Sequence, residues 1–139
     1  MDASETFRAL VARIDSSDVI AYLARQPSEV TGVAAHVSFV LAAGGRRYVR
    51  VAIDPKYGGC QLLALLGHEL QHVAEIADEP SVVSERSLAT FYRRIGYSID
   101  DPKSERFESR PAVDAGRRIM HEVLAFTAAA ASPAPRPRR

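Results

Sequence analysis

The sequence predicts an α+β fold in which a small antiparallel sheet packs against helices. Two segments, residues 33–41 and 48–53, alternate apolar and polar side chains with the period of two that is typical of strands, and a Gly-Gly pair follows the first. Residues 60–77 are instead apolar on nearly every side of a helix, which favours a buried helix. The predicted framework is therefore a β-hairpin followed by a buried helix.

The N-terminal region adds one helix and one strand to this framework. Apolar residues recur at helical spacing from Phe7 to Ile14, and Ser4 is a suitable N-cap. Residues 18–23 are a short strand candidate. The predicted sheet is thus a hairpin plus one strand.

Two more helices are predicted after the buried one. Residues 84–95 and 107–130 have helical patterns, and a loop over residues 96–103 separates them. The last residues, 132–139, are rich in proline and arginine and are expected to be a disordered tail. Residues 1–131 are therefore expected to form a single domain.

The charge pattern argues against a nucleic-acid partner. The 139 residues are 47% hydrophobic and 25% charged, and the formal net charge of +1 owes its sign to three arginines in the last eight positions. The arginine pairs elsewhere in the chain are Arg46-Arg47, Arg93-Arg94 and Arg117-Arg118. They are dispersed and lack interleaved aromatic residues, so we interpret them as solvated surface charges.

Cysteine usage and hydropathy exclude further classes of protein. The single cysteine, Cys60, rules out an internal disulfide and a four-cysteine zinc site. The acidic N-terminus has no hydrophobic leader, and no stretch approaches the roughly 18 apolar residues of a membrane span. We therefore expect no membrane association and a cytoplasmic protein, with a trimmed exported precursor as the alternative.

The most informative motif lies inside the predicted buried helix, where residues 68–72 read His-Glu-Leu-Gln-His. Residues four apart lie one above the other on a helix, so His68 and His72 direct their imidazoles at a common point where one divalent ion can bind. Glu69 lies beside that point, where its carboxylate can act as a general base. This HExxH pattern is typical of zinc hydrolases and predicts Zn2+ as cofactor.

The alternative interpretation is structural: two hydrogen-bonded or surface histidines and a solvated glutamate. The apolar surroundings favour the metal, because polar groups in a buried helix need partners. A metal ion would supply one partner for both imidazoles.

The third metal ligand has two candidates. Glu108 is predicted to lie on the apolar face of the last helix, where a buried carboxylate needs a cation, and a salt bridge with an arginine is the alternative. Glu75 shares a helix face with both histidines but lies about 4.5 Å further along the axis than His72. We therefore predict Glu108 as ligand and Glu75 as a residue that orients a histidine N–H.

We expect His36 to face solvent on its strand, and only one of Glu108 and His121 can face the metal from one helix.

The order of these elements resembles the gluzincin branch of the zincin metallopeptidases, in minimal form. The resemblance rests on a hairpin, an HExxH helix and a later helix with a glutamate, over roughly residues 33–126. Residues 67–77, followed by Phe-Glu-Ser at 107–109, are also similar to small uncharacterised bacterial proteins that carry HELQHxxE and a later Glu-Thr/Ser.

The resemblance implies a role for each site residue and a class of substrate. It implies zinc ligation by His68, His72 and Glu108, and catalysis by Glu69 as the base. Such enzymes commonly hold the substrate backbone along an edge strand, which here would belong to residues 33–53.

The predicted function is therefore zinc-dependent hydrolysis of a peptide or protein substrate, although other acyl hydrolysis fits the same motif. Tyr92 and Tyr97 are candidates for stabilising the oxyanion. The alternative from another class is a non-catalytic binding module that retains the zincin scaffold and the metal, and that recognises a partner through the hairpin edge.

Overall fold

A computed structural model of the chain describes residues 2–27, 32–98 and 107–133. Within these ranges the elements are α1 (Glu5–Asp15), β1 (Val19–Arg25), β2 (Ala35–Ala43), β3 (Arg46–Ile53), α2 (Gly59–Ala77), α3 (Glu85–Ile95), β4 (Tyr97–Ser98), β5 (Phe107–Glu108) and α4 (Arg110–Ala131). The predicted α+β class is confirmed. Most of the predicted loop after α3, and the predicted tail from residue 134 onward, lie outside the described residues.

Local sequence signals account for the first helix and for the hairpin. The Ser4 side chain accepts a hydrogen bond from the backbone N–H of Phe7 at 3.0 Å, so the predicted N-cap of α1 is confirmed. Gly44 and Gly45 join β2 to β3 with φ values of 57° and 75°. A two-residue hairpin turn requires positive φ at both positions, which glycine adopts without steric cost.

The three-stranded sheet is mixed, whereas the sequence predicted an antiparallel one. Its strand order is β1-β3-β2, with β2 antiparallel to β3 and β1 parallel to β3. The chain leaves β1, passes to the far edge of the sheet to form β2, and returns through the hairpin into the middle. The added strand was therefore predicted correctly as a strand but with the wrong direction relative to its neighbour.

The last helix begins later than predicted, at Arg110 rather than at Phe107. The Ser109 side chain accepts a hydrogen bond from the backbone N–H of Ala112 at 3.3 Å and caps the helix. Pro111 fits the first turn, where its missing N–H costs no helical hydrogen bond. The two residues before Ser109 pair instead with β4 as a short antiparallel ladder.

Helix α2 lies at the centre of the molecule, in contact with α1, α4 and all three strands of the main sheet. The fully buried side chains of this region come from α2 and from the elements packed against it: Val73 and Ile76 from α2, Val49 and Val51 from β3, and Ile119 from α4. The predicted burial of the HExxH helix is confirmed on the faces that carry Val73 and Ile76. No helix in the described ranges is both long enough and apolar enough to cross a membrane.

Arg47 is buried, and its assignment to the solvated surface was wrong. Its side chain is only 6% exposed and forms two hydrogen bonds of 2.7 Å with the carboxylate of Asp18. The same guanidinium donates to the main-chain carbonyls of Ile76, Ala77, Glu79 and Val82, at and just beyond the end of α2. Arg47 therefore joins the central strand to the C-terminal end of the helix that carries the two histidines.

Candidate metal centre

The structure brings the three predicted metal ligands together. The Nε2 atom of His68 lies 2.9 Å from one oxygen of the Glu108 carboxylate, and the Nε2 atom of His72 lies 3.0 Å from the other. One ligand atom from each of the three residues lies within 4.8 Å of the other two. Among the described residues this is the only group of three or more His, Cys, Asp or Glu side chains with such geometry.

The two histidines are positioned by one helical turn and by the helix packed against it. Their ring centroids are 5.0 Å apart, as the spacing of four residues requires. Gly116 of α4 faces His68 so closely that a Cβ atom at this glycine would lie 3.3 Å from the histidine Cβ. The absence of a side chain at Gly116 thus lets α4 approach the face of α2 that carries His68.

Glu108 reaches the histidines from β5, so its predicted position on the face of the last helix was wrong. It precedes the N-cap of α4, and the backbone N–H of Ser109 donates to its Oε1 atom at 3.0 Å. Burial by itself raises the pKa of the Glu108 carboxyl, but the hydrogen bonds with His68 and His72 outweigh burial and lower this pKa to about 2. Glu108 is therefore a carboxylate over the whole range of ordinary pH.

Glu69 is buried beside this cluster, with only 6% of its surface exposed. It makes no hydrogen bond with any described residue, so its carboxyl is not engaged in a structural contact there. Burial raises the pKa of Glu69, the positive charges of His72 and His68 act in the opposite direction, and Glu108 raises it further. A buried carboxyl that is not engaged by the described residues is available for proton transfer.

The Nδ1 side of His72 is held by two buried groups. The Nδ1 atom lies 3.1 Å from the Glu75 carboxylate and 2.9 Å from the Tyr92 hydroxyl. Burial alone lowers the pKa of His72, but the hydrogen bonds with Glu108 and Glu75 outweigh it and raise the pKa to about 10. Glu75 thus lies on the ring edge opposite the nitrogen that faces Glu108, in the orienting position predicted for it.

Two residues have roles that sequence reasoning missed or misassigned. The Tyr92 hydroxyl donates to Glu75 at 2.9 Å and contacts the Nδ1 side of the His72 ring. It therefore lies on the opposite side of this ring from Glu108 and does not face the cluster where an oxyanion would form. The Tyr97 side chain lies outside the described part of the chain. Ser109 donates to Glu75 at 2.6 Å, a contact that the sequence does not signal, although Ser109 before Arg110-Pro111 is a recognisable helix start.

The other two histidines of the chain lie away from this cluster. His36 is on β2, on the face of the sheet opposite Val37 and Val51, and His121 is exposed on α4. His36 is only partly exposed, whereas a solvent-facing position was predicted, and the predicted choice between Glu108 and His121 does not arise because Glu108 is not on α4. Neither of these histidines belongs to the group of ligating atoms described above.

The donor set fits a zinc ion. Zinc in catalytic sites takes three protein ligands, and two imidazole nitrogens with one carboxylate oxygen is a set found in zinc peptidases. All three side chains are at least three-quarters buried, so the donors are held in place before any ion arrives. Comparisons of the chain with protein-family models, with curated proteins and with solved structures found no match.

Proposed function

We propose that this protein is a zinc-dependent hydrolase, and specifically a metallopeptidase of minimal zincin type. The observation that carries the proposal is the convergence of His68 Nε2, His72 Nε2 and the Glu108 carboxylate, with Glu69 buried beside them. Glu108 also forms a hydrogen bond with each histidine, so a purely structural cluster is the competing explanation, and the metal content of the protein decides between the two. A bound zinc ion would supply Lewis acidity, which polarises a carbonyl group and acidifies water.

Glu69 would move the proton in this reaction. Its carboxylate accepts a proton from the attacking water and then donates the same proton to the leaving amine nitrogen. The burial of Glu69 beside the cluster, without a hydrogen bond to any described residue, supports this role because its carboxylate is available to a water molecule there. His68, His72 and Glu108 hold the metal and are not proton carriers in this scheme.

The outer edge of β2 supports a peptide as substrate. The backbone N–H of Phe39 points away from β3 and donates to the Glu85 carboxylate at the start of α3. Since successive residues of a strand alternate, Val37 and Ala35 present their N–H and C=O groups on the same side. No strand among the described residues pairs with that side of β2. An extended peptide can add there through main-chain hydrogen bonds.

The proposal is tested by metal content and by cleavage of an unbiased peptide library, read by mass spectrometry. We expect about one zinc per chain in the purified protein, cleavage that stops on treatment with a chelator, and recovery when zinc is returned. The His68→Ala and His72→Ala variants are the controls for the site. If they fold and retain as much zinc as the parent, the metal binds elsewhere and the proposal is wrong.

The alternative function, a binding module that retains the metal, rests on the same strand edge. A zinc-loaded parent that cleaves no member of the library, yet binds extended peptides, would favour this alternative. A fourth protein ligand in a metal-bound structure would favour it too, because structural zinc sites are closed whereas catalytic sites keep one position open.

A further inference from the structure

Glu75 is a largely buried carboxylate with hydrogen-bond partners on its own helix, on α3 and at the start of α4. Its side chain is 10% exposed and lies one turn beyond His72 on α2. It contacts His72 Nδ1 at 3.1 Å, accepts from the Tyr92 hydroxyl of α3 at 2.9 Å, and accepts from the Ser109 hydroxyl at 2.6 Å. A single carboxylate thus connects α2, α3 and the junction between β5 and α4.

The contacts at His72 determine which ring nitrogen faces Glu108. With Nδ1 engaged by Glu75 and Tyr92, the Nε2 atom is the one directed at the Glu108 carboxylate. The Tyr92 ring also packs edge-on against the imidazole, with 5.2 Å between the ring centroids, which restricts rotation of the ring. The orientation of the His72 imidazole is therefore fixed by contacts on the side of the ring that faces away from Glu108.

The contact at Ser109 determines where Glu108 lies. Ser109 follows Glu108 in the chain, donates its backbone N–H to the Glu108 carboxylate, and caps α4 with its hydroxyl oxygen. Its hydroxyl proton goes to Glu75. The junction that carries Glu108 is thereby attached to α2 only three residues after His72.

We infer that Glu75, Tyr92 and Ser109 act together as positioning residues that set the orientation of His72 and its distance from Glu108. The inference rests on the proposed function, since it assigns these residues a role toward the proposed metal. None of the three belongs to the group of converging ligand atoms. Their loss should therefore weaken and distort metal binding without abolishing it.

The test compares zinc affinity, by competition with a chelator, in the parent and in the variants Glu75→Gln and Tyr92→Phe. We expect Glu75→Gln to bind zinc roughly 10–100-fold more weakly, the range typical for loss of a group that orients a metal ligand. Tyr92→Phe keeps the ring against His72 and removes only the hydroxyl, so it should give a smaller loss. In both variants the visible absorption spectrum of bound Co2+ should shift, because that spectrum reports ligand geometry.

Glu122 provides a matched control. Like Glu75, it accepts three hydrogen bonds, from the Ser4 hydroxyl, the Thr6 hydroxyl and the Thr6 backbone N–H. These bonds join the start of α1 to α4. Glu122→Gln should lower the stability of the metal-free protein and leave both zinc affinity and the Co2+ spectrum unchanged. Ser109→Thr should preserve zinc affinity, whereas Ser109→Ala should weaken it.

The outcomes separate this inference from the proposed function. If the parent binds one zinc per chain while Glu75→Gln and Tyr92→Phe match its affinity and its Co2+ spectrum, the positioning role is wrong and the metal site stands. If Glu75→Gln does not fold, Tyr92→Phe decides alone by the same two measurements. If the parent itself binds no zinc, the proposed function fails, and the inference fails with it.

Discussion

The guanidinium of Arg47 donates a hydrogen bond to the main-chain carbonyl of Ile76 at 2.9 Å, which joins the middle strand of the sheet to the last turn of α2. Ile76 lies one turn beyond His72 on the same helix. The carbonyl groups of a last helical turn have no partner within the helix, and a positive charge is favourable at that end of the helix dipole. Arg47 meets both requirements, so it holds the helix of the proposed metal site against the sheet.

Replacement of Arg47 by methionine should destabilise the protein strongly. The change leaves the buried carbonyl of Val82 without a donor and removes the charged partner of Asp18, and each buried group left unpaired costs about 1–3 kcal/mol. We therefore expect the free energy of unfolding, measured with urea, to fall by several kcal/mol. The neighbouring Arg46 is exposed, so Arg46→Met is the matched control and should change this free energy little. Equal effects of the two changes would contradict the role assigned to Arg47.

The partner of Arg47 predicts a dependence of stability on pH. The hydrogen bonds from Arg47 are the main reason that the pKa of Asp18 lies below its ordinary value, although desolvation opposes them. Because this pKa is lower in the folded protein, Asp18 stabilises the fold at pH values above its unfolded pKa of about 3.9. The stabilisation is lost as the pH falls through the lower, folded value.

Asp18→Asn isolates this contribution. The variant should be less stable than the parent near neutral pH, and the difference should shrink at acidic pH, where the parent carboxylate also takes up its proton. Urea unfolding of both proteins, repeated at descending pH values, measures the difference directly. If the difference in the free energy of unfolding between the two proteins stays constant down to the most acidic pH, the charge of Asp18 contributes nothing to stability.

Sequence reasoning predicted those parts of the fold that local signals determine. The Ser4 cap, the hairpin turn and the HExxH helix each follow from residues close together in the chain, and each is confirmed. The parallel direction of β1 was missed because it depends on which strand occupies the middle of the sheet, and no local signal specifies that. The N-terminal limit of α4 was missed by three residues although Ser109 and Pro111 mark it.

The burial of Arg47 had a signal in the sequence that was overlooked. On β3 the residues Val49, Val51 and Ile53 form one face with a period of two, and extending this period backwards places Arg47 on the same buried face. Its adjacency to Arg46 suggested a surface pair instead.

Glu108, by contrast, was proposed from a helical face that does not extend to it. It meets the histidines because the short β4–β5 ladder and the Ser109 cap place it there, which depends on tertiary contacts.

The two glutamates that contact the histidine rings should differ in their effect on zinc binding. Glu108→Ala removes a proposed metal ligand, whereas Glu75→Ala removes a group that contacts His72 on the other ring edge. We therefore expect the Glu108 variant to lose more zinc affinity than the Glu75 variant in competition with a chelator. The exposed Glu5, replaced by alanine, serves as the control and should bind zinc as the parent does. The opposite order of Glu108 and Glu75 would reassign the third ligand to Glu75.

Glu69→Gln should separate catalysis from metal binding. Glutamine preserves the shape of the side chain and removes its ability to accept the proton of water. Glu69 makes no hydrogen bond with the other described residues, and it is not one of the three converging ligands. We therefore expect the variant to fold and to bind one zinc per chain, as the parent does.

The peptidase activity of this variant should fall by about 10²–10⁴-fold, the range typical for loss of a general acid–base group. The loss should appear in kcat, because proton transfer belongs to the chemical step and not to the binding of the peptide. The measurement compares parent and Glu69→Gln on the peptide that the library identifies, with zinc content determined on the same samples. Equal kcat values at equal zinc content would remove Glu69 from the mechanism. A loss of zinc in the variant would instead make Glu69 part of the metal site.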